Sequence, residues 1–353
     1  MAIMATTDLD YLATRLHARR SRMAEAERLD ALCQLRAIPE LGRTLRPEFG
    51  FQTAGNLQRQ LLQDLVQEFS FCLRHLDGAG HELVSWMQSR FQIESLKVLL
   101  RGFLNHTPLE ALREHLVPLP RELVLDAQAL LGAEMLDDFA KRLPAEWPRK
   151  QLLLAIAAHR DEPRAFFFEA ALDSGYFREL IERLERLPTA ERELIAPLVW
   201  QQVEMFHLML AARGKFNHGL TAESLFPLRV SGSGAAAERF KAMLAAPDIS
   251  AAAKLGLGHS FDELPSTRAT GETTTVMDPA ILEALGWRRF LRLANGAFRR
   301  SHMGLAAVVG YLEIRRVETA NLITLSEGIR TGVDAENIRA RLIPRTSLEA
   351  VYV

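Results

Sequence analysis

Cysteine is almost missing from this chain. Cys33 and Cys72 are the only two in 353 residues, too few for a disulfide framework or a thiolate metal site, and a usage that suits a reducing compartment. Long hydrophobic runs are missing as well. The most apolar stretch, Met303 to Leu312, covers 10 residues, about half of what a membrane span requires. The opening MAIMATTDLDYLATRLHARR lacks the basic, then apolar, then small-residue order of a secretory signal. The expectation is a soluble cytoplasmic protein that meets a membrane only through a partner. Net charge is scarce too: 43 Lys+Arg against 44 Asp+Glu leave −1, which excludes a globally basic surface for nucleic acid but leaves room for local patches.

Catalytic signatures are equally hard to find. His81-Glu82 is followed by Ser85 where a zincin helix needs a second histidine. SGSG at Ser231 to Gly234 could offer backbone amides to an anion, yet it lacks the GK[ST] ending of a phosphate loop and reads as a linker. LGLGHS near Gly256 is no stronger, and no GxSxG elbow occurs. Cys72 and His75 have a spacing that could suit a metal but no second pair to complete it. Asp137-Asp138 and Glu191-Arg192-Glu193 read as solvated helix faces. No catalytic, cofactor-binding or metal residue is assigned, and an enzyme is not expected.

What the chain does contain is helix. With 48% hydrophobic and 25% charged residues it can build a large core, and no segment alternates β-branched residues between turns, so the fold class is all-α. Helices are predicted from Tyr11 to about Leu35, Asn56 to Arg74, His81 to Leu104, Arg121 to Arg142, Lys150 to His159 and Phe166 to Leu187. Another runs from Thr189 to Arg213, where Pro197 should kink or split it, and the last long one from Ser301 to Gly328. Ser174-Gly175 reads as a kink or a start. A helix capped by Asp278-Pro279 should be interrupted at Gly286 and Gly296. In the third helix Ile93, Leu96, Leu99, Leu100 and Phe103 form a stripe, with Glu94, Lys97 and Arg101 away from it. Thr107-Pro108-Leu109-Glu110 spells a capping box for a short helix to Leu116.

One phrase recurs. VVGYLEIRRVETANLITLSEGIRTGVDAENIRARLIP, from Val308 to Pro344, has weaker copies starting at Arg90 and Gln202. Aligning Arg101-Gly102, Arg213-Gly214 and Glu327-Gly328, where each long helix should break, gives separations of 112 and 114 residues. AAAERF also echoes AEAERL, with Ala237 falling 211 residues after Ala26. Three similar helical modules follow, at 1–118, 119–230 and 231–353, the third opening at SGSG. TRATGETTT at Thr267 to Thr275 reads as an exposed loop. A basic cluster near the end (Arg315, Arg316, Arg330, Arg339, Arg341 and Arg345) reads in part as helix-end compensation and in part as a contact face for an acidic partner.

YLATRLHARRSRM, LDSGYFRELIERL and VETANLITLSEGIRTGVDAENIRARLIP together resemble the C/d subunit of V-type and A-type rotary ATPases over nearly the whole chain. The resemblance implies a funnel of three helical modules around a pseudo-threefold axis. It also implies a non-catalytic central-stalk role, seating the rotor shaft on the membrane ring of proteolipid subunits and passing torque between them. The partners are then shaft subunits and ring, with no cofactor, no nucleic acid and no membrane span. The family's repeat carries an asparagine seven residues before the turn glycine, which is Asn321 here; Ser95 and His207 stand in the other two copies, all three able to bond a loop. The turn residues singled out are Gly102, Gly214, Gly328 and Asn321. Arg101, Arg213, Arg330, Arg339 and Arg341 are the expected partner interface, the first three as a ring at one level. The alternatives are an unrelated helical-repeat scaffold or adaptor, and an enzyme built on the glycine-rich opening of the third module.

Overall fold

A computed structural model describes residues 4–48, 50–230, 234–258, 261 and 279–343. Most of the SGSG linker, the TRATGETTT loop, Asp278, Pro344 and Arg345 lie outside the described residues. Within them there are seventeen α-helices and no strand, so the all-α reading holds. The chain divides into two units, one made of 1–128, 186–195 and 291–353, the other of 129–185 and 196–290.

Unit 1 is built on the helix Leu305–Arg330. Its first ten residues are all buried, as expected for a helix apolar around its whole circumference. It packs against Met4–Arg20, Ile38–Leu45, Ala54–Leu73 and Ala335–Arg341. At Gly310 the backbone of 294–298 comes so close that a Cβ would stand 2.7 Å from the Ala294 carbonyl oxygen. Ala54–Leu73 shows why its sequence makes a helix. Leu57, Leu61, Leu65 and Phe69 fall four apart and are all buried, each contributing on the order of 2 kcal/mol. The Thr53 side chain accepts from Asn56 N at 3.2 Å to cap the first turn.

Gly78–Leu104 buries Ile93, Leu96, Leu99 and Leu100. Lys97 is drawn in with them, 5% exposed, its ammonium 3.3 Å from the Glu94 carboxylate, so it does not lie on the outer face expected of it. The predicted helix from Tyr11 to Leu35 is two, Met4–Arg20 and Ala26–Leu32. Between them Ala24 N–H donates to the buried Glu318 carboxylate at 2.5 Å, and Arg20 holds Glu25 at 3.0 Å. Tertiary hydrogen bonds replace helical ones there.

Unit 2 is cored by Phe167, Leu208, Leu225, Phe240, Met243 and Leu257 with their neighbours. The helix expected over Arg121 to Arg142 is instead a 3₁₀ turn Arg121–Leu123 followed by Ala127–Leu131 and Leu136–Lys141. Gly132 separates the last two, and Arg142 reaches back to the Ala129 carbonyl at 2.6 Å. Pro148 sits in the first turn of Glu146–Ala158, where a missing N–H costs nothing. Ser174-Gly175 lies unbroken inside Ala165–Glu185, with Gln151 and Trp147 packed on the glycine. Thr189–Leu210 continues through Pro197, and Gly286 and Gly296 lie inside Pro279–Ser301. At Gly286 the Met205 side chain lies where a Cβ would be.

Three equivalent helix ends as the candidate functional site

The recurring phrase folds into the same corner three times. Gly102, Gly214 and Gly328 do not themselves break the helices; each lies buried in the last turn. The reversal comes four or five residues later, at His106 (φ 52°), Gly219 (φ 64°) and Gly332 (φ 70°), all left-handed. The Gly102, Gly214 and Gly328 carbonyls accept from Thr107, Leu220 and Val333 N–H at 2.8, 2.9 and 2.9 Å. A short helix follows each corner and lays one apolar side chain on the glycine. A Cβ at Gly214 would meet Leu225 Cδ2 at 2.7 Å, one at Gly328 would meet Ile338 Cγ1 at 2.6 Å, and one at Gly102 would collide with Leu112. Close approach, not flexibility, is what glycine supplies at these positions.

The spacing resolves an irregularity in the repeat. Before the corner, equivalent residues lie 112 and 114 apart, as with Gly102, Gly214 and Gly328; after it, His106, Gly219 and Gly332 lie 113 and 113 apart. The second copy therefore carries one extra residue between glycine and corner. It is absorbed by a π-helical turn, Ala211–Asn217, where His218 N–H reaches the Arg213 carbonyl across five residues, while Asn105 reaches Arg101 across four. Thr221 and Asp334 cap the short helices through Ser224 N at 3.3 Å and Asn337 N at 2.9 Å. In the first copy the cap position is Pro108, so Thr107 makes no capping box.

The polar residue seven before each glycine anchors the far side of its corner. Val117 N–H donates to Ser95 Oγ at 3.1 Å, Val230 N–H to His207 Nε2 at 3.0 Å, and Ile343 N–H to Asn321 Oδ1 at 2.7 Å. Asn321 alone answers both ways, its amide also donating to the Ile343 carbonyl. All three side chains are buried, and each bond gives a loop N–H its partner, fully buried at Val230 and partly buried at Val117 and Ile343. His207 lies face to face with Phe240, ring centres 4.7 Å apart. Burial, and then the charge of Arg229, push its imidazole down to about 4. It is therefore neutral, with Nε2 free to accept.

The arginines expected at an interface have different surroundings. Arg101 is exposed and donates to the Lys97 carbonyl at 3.4 Å. Arg213 pairs with Glu283 at 2.8 Å. Arg330 donates to both oxygens of Glu327, and Arg339 lies 3.7 Å from Asp30. Arg341 is exposed with no ion pair among the described residues. In the repeat register Arg101 and Arg213 align with Glu327, and Arg330 comes one turn later. Surface pairs of this kind are screened by solvent and hold their partners weakly. Arg315 and Arg316 leave the basic cluster altogether: they turn inward, Arg315 onto Glu318 and Arg316 3.0 Å from Glu313, inside the central helix of unit 1.

Glu191, one of the residues read as a solvated face, instead accepts from Leu305 and Ala306 N–H at 3.1 and 2.9 Å, capping that central helix. A sequence separation of 114 residues hides that role. Among the described residues no group of three or more His, Cys, Asp or Glu could hold a metal. Cys72 is buried, with its thiol pushed up by that burial, and His75 packs on Tyr11 and Phe71.

A family model for the ATP synthase (C/AC39) subunit matches residues 12–341 and so takes in all three corners. The chain belongs to that family. It is thus a non-catalytic stalk subunit of a V/A-type ATP synthase, and the helical repeat is part of that machine. Among similar proteins is the C subunit of the A-type ATP synthase of Methanosarcina mazei, 20% identical over 348 residues with 94% of this chain and 92% of the relative covered. Its counterpart from Methanosphaera stadtmanae is 19% identical over 343 residues, with 94% and 87% covered. At this identity the chain shares few residues with either relative. One of its helices, Thr189–Asn217, is long and apolar enough to cross a membrane by length and composition, and half of its most apolar window is buried inside the protein.

Proposed function

We propose that the protein sits in the central stalk, seating the foot of the rotor shaft on the membrane proteolipid ring and carrying torque between them. The single observation that carries this reading is the threefold recurrence of one rigid corner at a spacing of 113 residues, in a member of a stalk-subunit family. On this reading the modules are 1–118, 119–230 and 231–353, arranged as a funnel about a pseudo-threefold axis on the cytoplasmic side. A torque-bearing piece must resist shear, and each corner is locked by a glycine contact, a backbone bond and a buried polar anchor. Arg341, with Arg101, Arg213, Arg330 and Arg339 released from their weak local contacts, supplies cationic contacts to acidic loops of those partners.

Affinity isolation of the tagged protein from native membranes in mild detergent tests the reading. Proteolipid ring and nucleotide-binding head should be recovered together, and Arg101→Glu with Arg213→Glu should lower the yield of ring or shaft without unfolding the chain. Recovery of the head without ring or shaft would remove the coupling role.

A further inference from the structure

Six arginines line one cavity of about 500 Å³ in unit 1: Arg15, Arg19, Arg22, Arg28, Arg46 and Arg315. Three carboxylates line it too, and each is already engaged. Asp64 holds Arg46 at 2.5 Å, Glu68 holds Arg19 at 2.6 Å, and Glu318 holds Arg315. Arg15, Arg22 and Arg28 remain. Among the described residues none of the three has a carboxylate within salt-bridge reach. Arg15 donates to the Tyr11 hydroxyl and lies over the Phe71 ring, while Arg28 donates to the Arg22 carbonyl. The buried Nε–H of Arg315 also has no acceptor. The cavity thus holds six positive charges against three negative ones, and like charges gathered around a partly water-excluded space repel one another unless an anion joins them.

The volume and the charge together restrict the occupant. Some three negative charges are wanted inside a space suited to one small molecule. Linked phosphates supply that density, and the planar guanidinium fork matches phosphate oxygens two at a time. An acidic peptide spreads its charges along an extended chain of about 3.3 Å per residue and fits the space less well. We propose that this cavity binds a small polyanion of the oligophosphate class through its phosphates, inorganic or esterified. The site is independent of the stalk role. Its walls come from Met4–Arg20, Ala54–Leu73 and Leu305–Arg330 with the segments between the first two, so a bound anion would tie those helices together.

Calorimetric titration of the full-length chain with sodium tripolyphosphate at low chloride is the test. Saturable binding of one anion per chain is expected, with ATP free of magnesium equal to it within threefold. Arg22→Gln and Arg28→Gln, both exposed, should each weaken binding roughly tenfold, the loss of one charge-assisted contact. Arg113→Gln, exposed and outside the cavity, should leave it unchanged. Circular dichroism checks that the variants fold. The unmutated chain also decides by itself: the proposal falls if tripolyphosphate does not saturate, or if hexaglutamate binds as tightly. It falls equally if Arg113→Gln weakens binding as much as the cavity variants do.

Discussion

Replacing Gly328 by alanine sets two effects of known size against each other. A Cβ there would lie 2.6 Å from Ile338 Cγ1 and 2.7 Å from Cδ1, about 1 Å inside ordinary carbon contact. Ile338 is 2% exposed and branched at Cβ, so its χ1 is stiff and it has little space to turn into. Relief requires the short helix Ala335–Arg341 to withdraw, an overpacking cost of about 1–3 kcal/mol. Against that, alanine gains about 1 kcal/mol over glycine in a helix. The net expectation is a loss of roughly 1 kcal/mol. Ile338→Ala alone should cost about 2–5 kcal/mol. In that background the collision is gone, and Gly328→Ala should stabilise by about 1 kcal/mol. The four proteins form a double-mutant cycle, read from urea midpoints at constant m. A coupling of about 1–3 kcal/mol is expected. If Gly328→Ala stabilises the intact chain, or if the two changes simply add, close packing is not why glycine stands there.

Gly310→Ala should cost more than Gly328→Ala, because the atoms in its way are the backbone of 294–298, which cannot turn aside; urea unfolding of the two variants side by side checks the order. Asn321→Leu should destabilise by about 1 kcal/mol, since the partly buried Ile343 N–H and carbonyl both lose their side-chain partner, and amide exchange at Ile343 should quicken. His207 makes stability depend on pH. Its folded pKa, about 4, is below the unfolded value near 6.5. Its contribution is therefore complete above about 6.5 and lost as pH falls from there towards 4, by up to about 3 kcal/mol. His207→Asn, which keeps an acceptor that does not titrate, should flatten that part of the pH–stability curve; an unchanged curve would remove His207 as the cause.

Much of the fold could be read from periodicity. Leu57, Leu61, Leu65 and Phe69 announce the helix Ala54–Leu73, and the Arg-Gly and Glu-Gly phrases mark the three corners. Proline and glycine were the poorer guides. Pro197, Gly286 and Gly296 all lie inside helices; at Gly286 the neighbouring Met205 side chain occupies the space a Cβ would need. The opposite error came at Arg20 to Ala26, where good helix formers give way to bonds with Glu318 and Asn295.

The sequence by itself determined that the chain is helical, that one phrase recurs three times, and that a polar residue precedes each glycine by seven. Those are local matters, set by side-chain periods of 3.6 and by which residues tolerate a left-handed turn. Tertiary structure decided what each marked residue touches. It showed that the glycines are contact points for Leu112, Leu225 and Ile338, that a π-turn takes up the extra residue, that Glu191 caps a helix 114 positions away, and that six arginines from both ends of the chain share one cavity. Burial and charge balance are properties of neighbours in space, and residues nearly 300 positions apart carry no period that could announce them.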